Sequence, residues 1–391
     1  MLPKKISEII DNNIKIISKK INYQKDFFGL APCPFIGRYN YPNINVGIMS
    51  TPDISYVSNK ALLNNPKLWS EKYTQVKDIV NIRSSLINSR QQSHIKSIKK
   101  NLNEVITEIG LAKECAETEI KLKDKPFFKM NGYSLEIPHG PNAQLLNAKI
   151  TSNTKTNIFI EKAYYDTDLN SSTALFELYD HKVTETNISK ILSVGGLGLK
   201  NNRKLVPTRW SITATDDSIG KKLIEEIKMY EPLDCYKIYF GGILGNFYLI
   251  IFFPEVWNYE LFEYALDSKD SFSTDYENYY GRKTYSNNCE GGYYTVRLAI
   301  LETLRKLKKQ ATVIAFRFIT PEYSAPLGVW VTRESARKAL NKKPLEFNSK
   351  SKTLDLSKRI VNDEFNFDLN IFLNKSVILK KINHQKKIFD F

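Results

Sequence analysis

The sequence predicts a mixed α/β chain of the α+β kind: an irregular sheet with surrounding helices, followed by a flexible carboxy-terminal tail. Three observations lead there. Apolar patterns of helical and of strand period both occur, and they interleave too irregularly for a doubly wound βαβ repeat. Residues 235–253, centred on Leu244-Gly245-Asn246, read as a hairpin whose second strand is apolar on both faces and therefore central in a sheet. Finally, 391 residues with 42% hydrophobic and 25% charged content suffice for one large or two ordinary cores.

Taken in order, Pro3 followed by Ile6, Ile9, Ile10, Ile14, Ile17 and Ile21 at helical spacing predicts a first helix. Four prolines between Pro32 and Pro52 then forbid a long helix and predict loop and short strand. Within that stretch Arg38 stands between Gly37 and Tyr39-Asn40-Tyr41. It reads equally as a ligand for a phosphate or base and as a staple holding the loop through a carboxylate or carbonyl. Residues 59–123 read as mostly helical, broken near Pro66 and Gly110. There Ile95, Ile98, Leu102, Val105, Ile106 and Ile109 form an apolar stripe with Lys96, Lys99 and Lys100 outside it. A strand over 158–165 and a helix over 172–182 lead into the central block.

That block, SKILSVGGLGLKNNRKLVPTRWSITATDD over 189–217, concentrates flexible backbone, basic groups, a tryptophan and paired carboxylates. Gly195, Gly196 and Gly198 permit close approach of a ligand, and Arg203 and Lys204 beside them favour an anion. Val206 to Ala214 alternates as a half-buried strand, and Asp216 or Asp217 then reads as the N-cap of a helix over 218–230. The same residues also read as an ordinary turn and cap, since GGLG lacks the dinucleotide fingerprint spacing. If they form a site, the GGLG turn, Arg209 and Asp216 are expected to share it with the Gly37-Arg38 loop.

Beyond the hairpin, a helix is expected over 255–266, and the polar run 267–288 is the best domain boundary. A strong helix to about 310, a strand over 311–319 and a short helix ending at Leu340 follow. From Pro344 the chain turns polar and is expected to drape over the body. The resulting division is 1–283, 284–384 and a terminal peptide, 385–391.

The net charge of +15 favours polyanionic partners, nucleic acid first, although a lysine-rich surface from an A/T-rich genome gives the same number. Cys33, Cys115, Cys235 and Cys289 form no CxxC pair, and the four histidines are as scattered, so no local metal cluster is legible. No cofactor is indicated. The most apolar run, 247–253, is far too short to span a bilayer, and no signal segment opens the chain. A cytoplasmic, nucleoid-associated protein with no membrane partner is expected.

The chain ends in Gln385-Lys386-Lys387-Ile388-Phe389-Asp390-Phe391. Glutamine at position one, an aliphatic at four and an aromatic at seven match the peptide that docks on the DNA sliding clamp. One helical turn puts the aliphatic and the aromatic on one face as a plug for an apolar pocket. The second aromatic usual at position eight is missing, and Phe389 is its nearest substitute. As a terminal segment behind a polar run, the peptide is expected to be exposed and poorly ordered without its partner.

FIGRYNYPNINVG, the central block, EGGYYTVRLAILETL, ITPEYSAPLGVWVTRESARKAL and QKKIFDF together resemble the archaeal Nre family of DNA repair proteins, over nearly the whole chain and in the family's order. The resemblance implies a DNA-damage role and recruitment by the clamp, proliferating cell nuclear antigen, through Gln385, Ile388 and Phe391. One family branch carries a cysteine-rich zinc motif near the amino terminus. This chain has only Cys33 there, so that metal site is expected to be absent. Two functions compete: a clamp-recruited repair factor that binds DNA and other repair enzymes, and a metal- or nucleotide-dependent nuclease. The second would draw on Arg209, Asp216 and Asp217, with Glu290, Glu322 and Arg333 behind them. Adjacent carboxylates often point apart, so it needs a second converging pair.

Overall fold

The computed structural model describes residues 24–52, 59–126, 140–268 and 271–384. The helix expected over 6–21 and the peptide 385–391 lie outside the described residues. The chain divides into two compact units, one running to Ile219 and including Ser324–Gly328, the other comprising Gly220–Tyr323 and Val329–Phe391. Both combine sheet and helix, as an α+β chain should.

The first unit is built on β1 (Asp26–Ile36), β2 (Asn43–Thr51), β3 (Ile87–His94), β4 (Ala116–Leu122) and β5 (Asn142–Ile150), closed into a barrel in the order β1-β2-β3-β5-β4. Every neighbouring pair is antiparallel except β3 with β5. Two full strands thus replace the loop and short strand expected around the four prolines. Pro32 sits where the β1–β2 register shifts, and a bulge tolerates a residue that cannot donate to the ladder. Between β2 and β3 lie α1 (Pro66–Lys72), with its proline in the first turn, and α2 (Val76–Ser84). The region 59–123 is therefore cut by two strands rather than mostly helical. Its apolar stripe is real: Leu102, Val105, Ile106 and Ile109 of α3 (Lys100–Leu111) pack with Ile44, Val46, Ile48, Ile120 and Leu145 of the barrel in one core.

Residues 158–165 form a helix, α4 (Ile158–Tyr165), instead of a strand. The side chain of Asn157 accepts from the Phe159 N–H, and Ile160 and Ala163 give a buried face at helical spacing. The expected next helix is α5 (Ser171–Asp180), followed by α6 (Glu185–Ser193). The larger correction is α7 (Thr208–Ile227), one continuous helix where a strand and a capped helix were expected. Its buried side carries Ser211, Thr215, Ile219, Leu223 and Ile227, each four residues after the last, with Asp216 beside Thr215. Small polar residues fill the first half of that stripe, so hydrophobicity alone does not reveal it. Asp216 and Asp217 accordingly lie mid-helix, not at its cap.

The second unit holds β6 (Tyr236–Ile243), β7 (Asn246–Phe253), β8 (Asn258–Ala265), β9 (Phe272–Glu277), β10 (Thr312–Ile319) and β11 (Leu345–Phe347), in the order β11-β6-β7-β10-β8-β9. The hairpin turn is Leu244-Gly245, with φ of 51° and 71°, the left-handed pair a tight hairpin needs. The second hairpin strand, β7, is interior to the sheet, as its two apolar faces require. β8 replaces the helix expected over 255–266. It runs parallel to β10 and buries both faces, so its apolar residues fall at spacings that imitate a helix. The polar run 267–288 contains β9, paired with β8.

Helices α8 (Glu290–Leu307) and α9 (Trp330–Leu340) follow the sequence expectation. Past Pro344 the chain is not loose covering: α10 (Lys350–Phe365), α11 (Asn370–Leu373) and α12 (Val377–His384) place Val361, Phe372 and Ile378 in one core with Leu249, Phe262 and Phe316 of the sheet. Among the described residues no helix is long and apolar enough to cross a membrane.

Candidate nucleic-acid interface

The β1–β2 loop, Gly37 to Pro42, is short and held at both ends. The Gly37 N–H donates to Asn45 O at 2.8 Å, and the Asn43 N–H to Asn40 O at 2.8 Å. Asn40 adopts φ 61°, a left-handed conformation asparagine tolerates. The Arg38 guanidinium lies 5.0 Å from the centroid of the Tyr39 ring, and its Nη2 donates to the Tyr39 hydroxyl at 3.3 Å. Tyr39 is nonetheless 59% exposed and Tyr41 40%.

The loop meets the first turn of α7, from the central block. The Ile36 N–H donates to Thr208 Oγ1 at 3.2 Å, and the ring of Tyr41 lies 5.2 Å from that of Trp210. Trp210 is 44% exposed, Arg209 is exposed, and no acidic residue stands in this turn. Two backbone hydrogen bonds join further basic segments to the same place. The Ile95 N–H donates to Pro42 O at 3.1 Å and the Leu205 N–H to Ile95 O at 3.0 Å, which brings the exposed Lys96 and Lys204 to its margin. Lys99 and Lys100, at the start of α3, are exposed on the chain leaving Ile95. Exposed rings interleaved with arginine and lysine can stack bases and hold phosphates together.

The glycine turn belongs to the same block and packs against Lys204. Gly195, at φ 72°, ends α6: its N–H donates to Leu192 O at 3.0 Å, and that of Gly196 to Ile191 O at 2.9 Å. A Cβ on Gly195 would sit 2.7 Å from Lys204 O, so the chain crosses itself there. Gly198 adopts φ 98°. Arg203 spends its guanidinium on three carbonyls, donating from Nε to Gly198 O at 2.7 Å, from Nη1 to Tyr164 O at 2.6 Å and from Nη2 to Asp166 O at 2.6 Å. The structure thus brings the segments that carry Arg38 and Arg209 together but sets Arg203 into the frame of the turn. Asp216 lies two helical turns beyond Arg209 and is wholly buried, while Asp217 is partly exposed. Among the described residues no group of three or more His, Cys, Asp or Glu side chains is arranged to hold a metal ion.

In the second unit, two buried arginines are paired with carboxylates within the fold. Arg297 Nη1 contacts Glu277 Oε2 at 2.8 Å, and Arg317 Nη1 contacts Glu263 Oε1 at 2.7 Å. Of the reserve candidates, Glu290 opens α8, Glu322 is exposed in a turn and Arg333 is buried in α9. Sequence reasoning missed the outer face of β2 and β3, where Asn45 pairs with Gln92 and Gly47 with Arg90. Directly opposed residues share a face, but the prolines before β2 and the helical spacing around β3 conceal the pairing.

The family model for the archaeal Nre amino-terminal region matches residues 4–269, and that for the carboxy-terminal region matches 277–391. The chain is 33% identical over 380 residues to a DNA repair protein NreB of Archaeoglobus fulgidus, covering 95% of this chain and 93% of that protein. A DNA repair protein NreA of Haloferax volcanii is 31% identical over 325 residues, 80% of this chain and 77% of the relative. The NreA of Archaeoglobus fulgidus is 33% identical over 343 residues, 85% of each chain. No solved structure matches. Matched along both regions, the chain belongs to the archaeal Nre family.

Proposed function

We propose that this protein is a DNA repair factor that grips DNA through the Arg38–Arg209 surface and is brought to its substrate by the sliding clamp. Its relatives are named DNA repair proteins, which supports the general role. The observation that carries the DNA contact is the meeting of two stretches far apart in sequence, residues 37–42 and 208–210. Together they present exposed rings and basic groups on one face. Packing alone gives no reason to leave Tyr39, Tyr41 and Trp210 so exposed side by side. Clamp recruitment rests on Gln385, Ile388, Phe389 and Phe391, which lie outside the described residues; other repair enzymes would be met at the clamp.

The test is DNA binding by fluorescence anisotropy across a salt series, for the wild type and for Arg38→Ala combined with Arg209→Ala. Binding should weaken steeply with salt. The double variant should bind less tightly, with a log–log slope shallower by roughly one for each phosphate it no longer neutralises. A wild type that does not bind at low salt, or a variant with unchanged affinity and slope, would refute the proposal.

A further inference from the structure

We infer that the first unit binds single-stranded DNA in preference to duplex, drawing the strand across the outer face of β2 and β3 and over the β1–β2 loop. This rests on the DNA-binding reading above and names its substrate. The first argument is the barrel. Five strands closed in the order β1-β2-β3-β5-β4, with α3 lying between β3 and β4 in the chain and packed in the barrel core, repeat the layout of the oligonucleotide-binding Greek-key barrels. Those barrels take their ligand on strands two and three and on the loop between strands one and two. Here that loop is the one carrying Arg38, Tyr39 and Tyr41.

The second argument is independent of fold. Across β2 and β3 the outer face runs in rows: Asn43 opposite His94, Asn45 opposite Gln92, and Gly47 opposite Arg90. Gly47 also pairs with Phe35 on β1, and with no side chain between them the Arg90 guanidinium reaches to 5.8 Å from the Phe35 ring centroid. A Cβ on Gly47 would lie 1.9 Å from Ser89 O, so the gap in this row is enforced by the backbone. Asn43 and Gln92 are exposed, and Asn45, Arg90 and His94 partly so. This face is mostly uncharged amide with an arginine laid on a ring. It suits base edges and base planes better than a rail of phosphates.

Base planes are the deciding feature. In duplex DNA both faces of every base are covered by its neighbours, so a ridge of exposed rings gains nothing from them. A single strand can splay its bases onto Tyr39, Tyr41 and Trp210, while the lysines at the margin follow its backbone.

Trp210 also makes the test direct. The other three tryptophans, Trp69, Trp257 and Trp330, are 2%, 0% and 8% exposed, so a base stacking on the surface can quench only Trp210. The full chain is titrated at low salt with oligothymidylate and with a duplex of equal length, reading tryptophan emission and anisotropy in parallel. The single strand should quench emission and bind about tenfold tighter or more than duplex. Trp210→Phe should abolish the quench while retaining most of the affinity. Tyr39→Ala with Tyr41→Ala should cost the single strand about tenfold and the duplex several-fold less than that, with circular dichroism confirming that the variant is folded. Equal affinity for the two DNAs, or a loop variant that loses both alike, overturns the strand preference but leaves DNA binding standing. No binding of either DNA overturns both.

Discussion

At the scale of single residues, the two arginines of the central block have opposite circumstances despite lying six positions apart. Arg209 is exposed at the start of a helix, whereas Arg203 ties three carbonyls from two segments. A guanidinium offers that fan of donors in a fixed plane and an ammonium does not. Arg203→Lys should therefore lower the melting temperature, leaving at least one carbonyl without its partner at a cost of about 1–3 kcal/mol. It should leave the salt dependence of DNA binding unchanged. Thermal melts beside anisotropy titrations separate the outcomes: a stable variant with a shallower salt slope would make Arg203 a phosphate ligand after all.

At the scale of elements, the carboxylate of Glu260 shows how the last helices are fastened to the sheet. It projects from β8, is 1% exposed, and accepts from Ser376 Oγ at 2.6 Å and from the Val377 and Ile378 N–H groups at 2.9 and 3.2 Å. A strand residue thus caps α12, a long-range version of the usual local cap. Glu260→Ala should destabilise by about 1–3 kcal/mol for each buried donor left unmet, and hydrogen exchange should show α12 opening before the rest of the sheet. Uniform protection in the variant would mean that apolar contacts alone hold α12. No window of sequence reveals such a cap, because Glu260 and Val377 stand 117 positions apart. The hairpin at Leu244-Gly245 was legible because its signal is wholly local, and so was α8, whose apolar stripe is long. β8 was not, since a strand buried on both faces has no polar alternation to betray it. Nor was α7, whose hidden side begins with Ser211 and Thr215.

For the molecule as a whole, the net charge of +15 identifies a class of partner without saying where it binds. Arg38 and Arg209 could be singled out in the sequence because each stands beside unusual neighbours. That their segments meet is seen only in the fold, where Ile36 at the end of β1 donates to Thr208 at the start of α7 and Tyr41 lies against Trp210. The terminal peptide is the reverse case, a function readable from seven residues with no fold around them. Ile388→Ala combined with Phe391→Ala should abolish binding to the clamp and leave the melting temperature unaltered. Each such side chain contributes roughly 1.5–3 kcal/mol when buried, against about 1–2 kcal/mol for every residue ordered, so the wild-type affinity should be modest. Calorimetry on both proteins decides it: equal affinities would discard the motif, and a lowered melting temperature would place the tail in the core.

The four cysteines have a consequence for watching this protein come apart. None forms a disulfide, and burial pushes the Cys33 and Cys289 thiols up. A thiol that is both hidden and protonated is inert to alkylation until its surroundings open. Cys33 belongs to the barrel unit and Cys289 to the sheet unit. Each unit therefore carries its own stopwatch: in rising denaturant, the order in which maleimide marks the two positions reports which unit lets go first.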